Sequence, residues 1–158
     1  MIYQGIRIDG EMARRWIERT IGWKLIARMA RPYRIVSIGF EDLALFGDWS
    51  DGAFAKMVSE DGAHIRFNPK VNLEKAAGFL NRRVRLRLKP SEVYIFAFLH
   101  ELGHTHQAAG LLSQGAISGR RWLGAGDEEI RGLRRQAEDF ADAWAKVEFR
   151  KWRRRARP

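Results

Sequence analysis

Hydrophobic positions along this chain recur with two different periods. Over residues 9–30, Met12, Trp16, Ile17, Ile21, Leu25 and Met29 return at helical spacing, which predicts an amphipathic helix. Pro32 closes it, because a proline disfavours helical backbone in the residue before it. Residues 34–40 are apolar and β-branched enough for a strand. Two turn signals follow, Asp51-Gly52 and Asp61-Gly62, and a second strand is predicted between them at 53–59. Residues 63–68 alternate, with Ala63, Ile65 and Phe67 on one face and His64, Arg66 and Asn68 on the other. Asp61-Gly62 then reads as a hairpin turn.

The second half changes period again. Residues 73–80 read as a short helix capped by Asn72. Residues 83–89 alternate basic side chains with Val84, Leu86 and Leu88, as a half-buried strand or extended edge would. Pro90 and Ser91 open a helix carrying Val93, Phe96 and Leu99, for which Gly110 is a natural stop. Residues 110–126 form a Gly-rich loop with Arg120, Arg121 and Trp122, which reads as a connector or as a lid. Asp127 caps a last helix whose apolar face is Ile130, Leu133, Ala137, Phe140, Ala141, Trp144 and Val147. The order is helix, antiparallel strands, helix, helix, which predicts an α+β domain over 1–149 and a basic tail at 150–158.

Composition narrows the function classes. A chain of 158 residues fits one hydrophobic core. It has no cysteine, which excludes disulfides, thiolate metal sites and a cysteine nucleophile. The opening nine residues lack an apolar signal region, and the most apolar run, 93–99, is too short to cross a bilayer. The expectation is a cytoplasmic protein without a membrane role. A net charge of +10 favours anionic partners: nucleic acid, acidic protein or anionic lipid. The charge gathers in Arg82, Arg83, Arg85, Arg87 and Lys89, and again in Arg150, Lys151, Arg153, Arg154, Arg155 and Arg157 beside Trp152. Basic residues at helix C-termini also have a purely structural use.

The residues with clear chemistry are His100-Glu101-Leu102-Gly103-His104. Two histidines four apart project from one helix face, and both can reach a single Zn²⁺. The intervening Glu101 then sits beside the ion, placed to take a proton from the attacking water. A third protein ligand is needed. The chain has four histidines, and none follows His106, which faces away from His104 on a continuing helix. The third ligand is therefore expected to be a carboxylate of the last helix, from among Asp127, Glu128, Glu129, Glu138, Asp139, Asp142 and Glu148. The first three lie where acids are common for capping and dipole reasons. Glu138 and Asp142 are four apart in mid-helix, so one can bind metal while the other accepts the second N–H of a ligand histidine.

These two segments, His100 to His104 and Glu138-Asp139-Phe140-Ala141-Asp142, resemble the gluzincin metallopeptidases, in particular their minimal single-domain members and antitoxin-cleaving peptidases. The resemblance implies a zincin-like domain: a small antiparallel-rich sheet, an active-site helix and a C-terminal glutamate helix. It implies Zn²⁺ on His100, His104 and Glu138, Asp142 in support, and Glu101 as general base in peptide hydrolysis. It also implies an edge strand that binds substrate backbone by strand addition, here residues 63–69. The oxyanion-stabilising group is open among Tyr3, His64, Tyr94 and His106. The alternative is a non-catalytic nucleic-acid-binding protein with a structural or vestigial metal site, using the basic tail.

Overall fold

The computed structural model describes residues 1–30, 32–41, 55–58, 62–113 and 127–156, with side chains except those of 55–58, 106–113, Asp127, Ile130, Leu133 and Arg134. Five strands, β1 (Ile2–Tyr3), β2 (Ile6–Asp9), β3 (Ile35–Phe40), β4 (Ala55–Val58) and β5 (Ala63–Phe67), form one sheet in the order β1-β2-β3-β5-β4. The helices are α1 (Gly10–Trp16), α2 (Trp23–Ala30), α3 (Leu73–Val84), α4 (Val93–Ser113) and α5 (Asp127–Ala156). The mixture of helix and strand is the expected one.

The helix predicted over 9–30 is two helices. A π turn at Ile17–Ile21 joins α1 to Gly22, whose φ of 80° breaks the run before α2. Glycine reaches that backbone conformation without a Cβ penalty. Before α1 the sequence reading missed β1 and β2, although Ile6 and Ile8 are buried and Arg7 between them is exposed. The α1–α2 pair is a crossover from β2 to the parallel strand β3, the kind of connection parallel pairing requires.

The sheet is accordingly not antiparallel-rich. Pairs β2/β3 and β3/β5 are parallel, while β1/β2 and β4/β5 are antiparallel. In the last pair Val58 lies opposite His64 and Ala55 opposite Phe67, consistent with a hairpin, though Asp61 itself lies outside the described residues. Because β5 is flanked by β3 and β4, residues 63–69 are not an edge; β4 is. The face assignment in β5 holds: Ala63, Ile65 and Phe67 are buried, His64 and Arg66 half-buried.

On the inner face, Trp16 of α1 lies 4.8 Å from Phe67 and 5.9 Å from Phe98 of α4, ring centre to ring centre. Tyr94 packs on Phe40 and Phe67 and donates from its hydroxyl to the Asn68 carbonyl at 2.7 Å. These contacts lay the start of α4 against β5. On the opposite, polar face, Arg66 Nη2 donates to Asp9 Oδ2 and to Ser37 Oγ, both at 2.8 Å, linking β2, β3 and β5.

Residues 83–89 do not form a strand. Asn72 caps α3 as expected, its side chain accepting from the Lys75 N–H at 3.0 Å, but the helix runs on to Val84 and ends at Arg85 in left-handed conformation (φ 53°). The Asn81 amide then accepts from the Leu88 N–H at 2.6 Å and donates to the Leu88 carbonyl at 3.1 Å. A side chain thus occupies backbone groups that a strand would have offered to a sheet, and Leu88 is buried instead.

Helix α4 passes through Gly110 to Ser113. The Gly-rich connection that follows, at 114–126, lies outside the described residues. Helix α5 buries Ala141, Ala145 and Phe149, at i, i+4 and i+8, while Phe140 and Val147 of the expected face are exposed. The small residues face inward because α4 lies close against them. The basic segment at 150–156 is helical as far as Ala156, and residues 157–158 lie outside the described part. Arg153 stacks over Phe149, donates to the Glu92 carboxylate at the start of α4, and reaches the Arg87 carbonyl. Among the described residues, no helix is long and apolar enough to cross a membrane.

Candidate metal centre

Helix α4 carries His100 and His104 one turn apart, on the face turned toward α5. What brings α5 within reach is the residue between them. A Cβ built on Gly103 would lie 2.9 Å from Ala141 Cα, closer than real Cβ atoms come, and a tight 3.1 Å from Ala141 O. Gly103 and Ala141 are therefore the contact point of the two helices. Glu138 and Asp142 flank that contact on α5, so the carboxylates meet the histidines.

The four side chains interlock. His100 Nδ1 lies 2.9 Å from Asp142 Oδ1. A carboxylate only accepts, so Nδ1 carries the hydrogen, which leaves Nε2 facing His104 and Glu138. His100 Nε2 is 3.0 Å from His104 Nε2 and 3.2 Å from Glu138 Oε2, and His104 Nε2 is 3.3 Å from Glu138 Oε1. His100, His104 and Glu138 thus form a group that could hold a metal ion. The histidines form a half-buried floor, while the Glu138 side chain is 51% exposed, so the group opens toward solvent on the α5 side.

A residue from a third element completes the arrangement. Arg83, in the last turn of α3, donates from Nε to Asp142 Oδ2 at 2.6 Å and from Nη2 to Asp142 Oδ1 at 2.8 Å. Its Nη2 also lies 3.3 Å from Glu138 Oε2. Sequence reasoning placed Arg83 in a strand-like basic cluster and missed this. The one local signal was its position in the last turn of a helix, which says nothing of a partner 59 residues away.

The charges are strongly coupled. Burial alone would lower the His100 pKa, but its hydrogen bonds to Asp142 and Glu138 prevail and raise it to about 9. The hydrogen bonds from His100 and His104 hold Glu138 far below the usual carboxylate range. Burial pushes against ionisation of Asp142, yet His100 and Arg83 together keep it below its ordinary value. Glu101 behaves in the opposite way: it is 8% exposed, and its burial raises its pKa against the pull of the two histidines.

The other candidates lie elsewhere. Tyr3 packs on Trp23 with ring centres 4.6 Å apart, Tyr94 is engaged with Asn68 as described, and His64 Nδ1 lies 2.8 Å from Ser37 Oγ. The side chain of His106 lies outside the described residues, as does that of Asp127. Compared with protein-family models, with curated protein sequences and with solved structures, the chain matches none.

Proposed function

We propose that the chain is a zinc-dependent peptidase of the gluzincin kind, with His100, His104 and Glu138 holding the ion and Glu101 acting as general base. The observation that carries this reading is the convergence of three ligand atoms from two helices. The two imidazole nitrogens lie 3.0 Å apart and each has a different Glu138 oxygen beside it, Oε2 at 3.2 Å from His100 and Oε1 at 3.3 Å from His104, spacings near the roughly 3.3 Å between ligand atoms of a tetrahedral site with bonds of 2.0–2.1 Å. Two neutral imidazoles and one carboxylate are also a donor set that catalytic zinc takes, with a position left open. Bound there, zinc would supply a Lewis acid and make water a better nucleophile at neutral pH.

The rest of the chemistry falls to the chain's own residues. Glu101, whose pKa is raised by burial, is tuned toward accepting a proton from the attacking water and passing it to the departing amine. Asp142 fixes the His100 tautomer. Strand β4 ends the sheet beside α4, and an extended substrate pairs there by strand addition; this replaces residues 63–69, which are interior. Glu101→Gln tests the reading. Cleavage of an unfolded protein such as casein should fall by about 10²–10⁴-fold, while zinc content stays near one ion per chain. Retained activity would remove Glu101 from the mechanism.

A second reading, a nucleic-acid-binding protein with a structural metal, is favoured by one observation. Arg153 bonds to both Glu92 and the Arg87 carbonyl, so the basic segments at 82–89 and 150–155 touch at Arg87. Neutralising Arg150, Arg154 and Arg155 together should then flatten the salt dependence of DNA binding. An unchanged salt slope counts against it.

A further inference from the structure

The bidentate contact between Arg83 and Asp142 has a role beyond tying α3 to α5. We propose that Arg83 is a positioning residue of the metal centre: it fixes the Asp142 carboxylate that orients His100, and so sets how tightly the three ligands hold an ion. The proposal rests on the zinc reading given above and adds a residue to it.

Basic residues in the last turn of a helix ordinarily point toward their own C-terminal carbonyls, where the helix dipole favours them. Arg83 does not. Both its Nε and Nη2 cross to α5 and take the two oxygens of Asp142 in the fork geometry that guanidinium and carboxylate share. With both oxygens engaged, the plane of the Asp142 carboxylate is fixed. Its Oδ1 is then presented to His100 Nδ1 at 2.9 Å, and the ring is held with Nε2 toward His104 and Glu138. The third contact, from Nη2 to Glu138 Oε2 at 3.3 Å, lets the same cation steady the carboxylate ligand. Three elements thereby converge on one histidine ring: α4 supplies it, α5 bonds to it, and α3 fixes the bond.

Outer groups of this kind tune metal affinity by about 10–100-fold. A lysine would not substitute, since an ammonium has no planar fork and would meet one oxygen at a time.

The experiment is a set of zinc affinities measured by chelator competition on the full chain: wild type, Arg83→Gln, Arg83→Lys, Asp142→Ala, and Arg83→Gln with Asp142→Ala. Circular dichroism of each metal-free protein reports folding. Arg83→Gln should weaken zinc binding about tenfold or more, with Arg83→Lys recovering little. In the Asp142→Ala background the same change should cost less than about twofold, because its route to His100 is gone. An affinity for Arg83→Gln equal to that of wild type overturns the proposal, as does an undiminished loss in the Asp142→Ala background. Should Arg83→Gln fail to fold, Arg83→Lys against wild type decides, since it keeps the charge and stem and removes only the fork. If the wild type binds no zinc, the peptidase reading fails. Arg83 is then judged on the ¹⁵N signal of His100 Nδ1 in metal-free protein: it should move in Arg83→Gln, and a fixed signal refutes the role.

Discussion

Two regions of this molecule set histidine among charged neighbours, and among the described residues only one of them forms a group that could hold a metal. On the polar face of the sheet, His64 meets the Ser37 hydroxyl, and Arg66 donates to Ser37 and Asp9 and approaches Glu41 at 3.6 Å. There, Arg66 meets the acids, as Arg83 meets Asp142 at the other site. What differs at the α4–α5 contact is that His100 Nε2 lies 3.0 Å from His104 Nε2 and 3.2 Å from Glu138 Oε2, and His104 Nε2 lies 3.3 Å from Glu138 Oε1. These are acceptors facing acceptors unless a proton or a cation lies among them. The difference teaches that a metal site is marked by surplus electron pairs converging on one point, not by histidine in polar company.

The comparison can be broken most sharply at the histidines themselves. His100→Ala should reduce zinc affinity by more than the roughly 100-fold expected of an outer group, whereas His64→Ala should leave it unchanged and cost about 1 kcal/mol of stability. Chelator competition and urea denaturation read both. Equal effects on metal binding would erase the distinction between the two sites.

A smaller effect concerns the proton that His100 holds in the metal-free protein. Its pKa is raised to about 9 from 6.5, so the contacts it makes stabilise the fold fully below about pH 6.5. That contribution is lost as pH rises through about 9, on the order of 3 kcal/mol. Denaturation of metal-free protein at the two ends of this window measures it. A flat profile would mean that the His100 cluster does not assemble without metal.

The smallest effect tests the geometry that brings the acceptors together. Gly103→Ala places a methyl against the Ala141 backbone and should destabilise by about 1–3 kcal/mol. It should also weaken zinc binding, because α5 must move away from both histidines. Arg66→Gln, disturbing the sheet's polar face, should lower stability without touching metal affinity. If Gly103→Ala binds zinc as wild type does, helix spacing does not govern the site.

Much of the candidate site was legible because its logic is local. His100 and His104, and likewise Glu138 and Asp142, are each an i, i+4 pair on one helix, and helix periodicity alone puts each pair on one face. What joined them was not local. Arg83 pairs with a residue on another helix, and no periodicity encodes that. Strand order was equally opaque: β5 alternates like an edge strand, but whether it is one depends on β3 and β4, not on its own residues. The short strands β1 and β2 were missed because a four-residue alternation is weak beside the long helical pattern that follows. The face of α5 was only partly right: Ala141 is buried as expected, but hydrophobicity also put Phe140 and Val147 there, which are exposed, and passed over the buried Ala145. Close helix contact favours the smaller side chains.

The Arg153–Glu92 link has a mechanical consequence. Glu92 and Gly103 are eleven residues apart, and Ala141 and Arg153 twelve, which at 1.5 Å per residue is about 17 Å along each of two antiparallel helices. Along α4, helix α5 is thus a beam with a support at each end of this span, a backbone-to-backbone bearing at Gly103 and an ionic clamp at Glu92, while Arg83 of α3 grips it beside the first. A beam held at one point can pivot; held at two, it can tilt only by breaking a support. Glu138 overhangs just beyond the first bearing, so any play at the distant clamp is passed to the carboxylate.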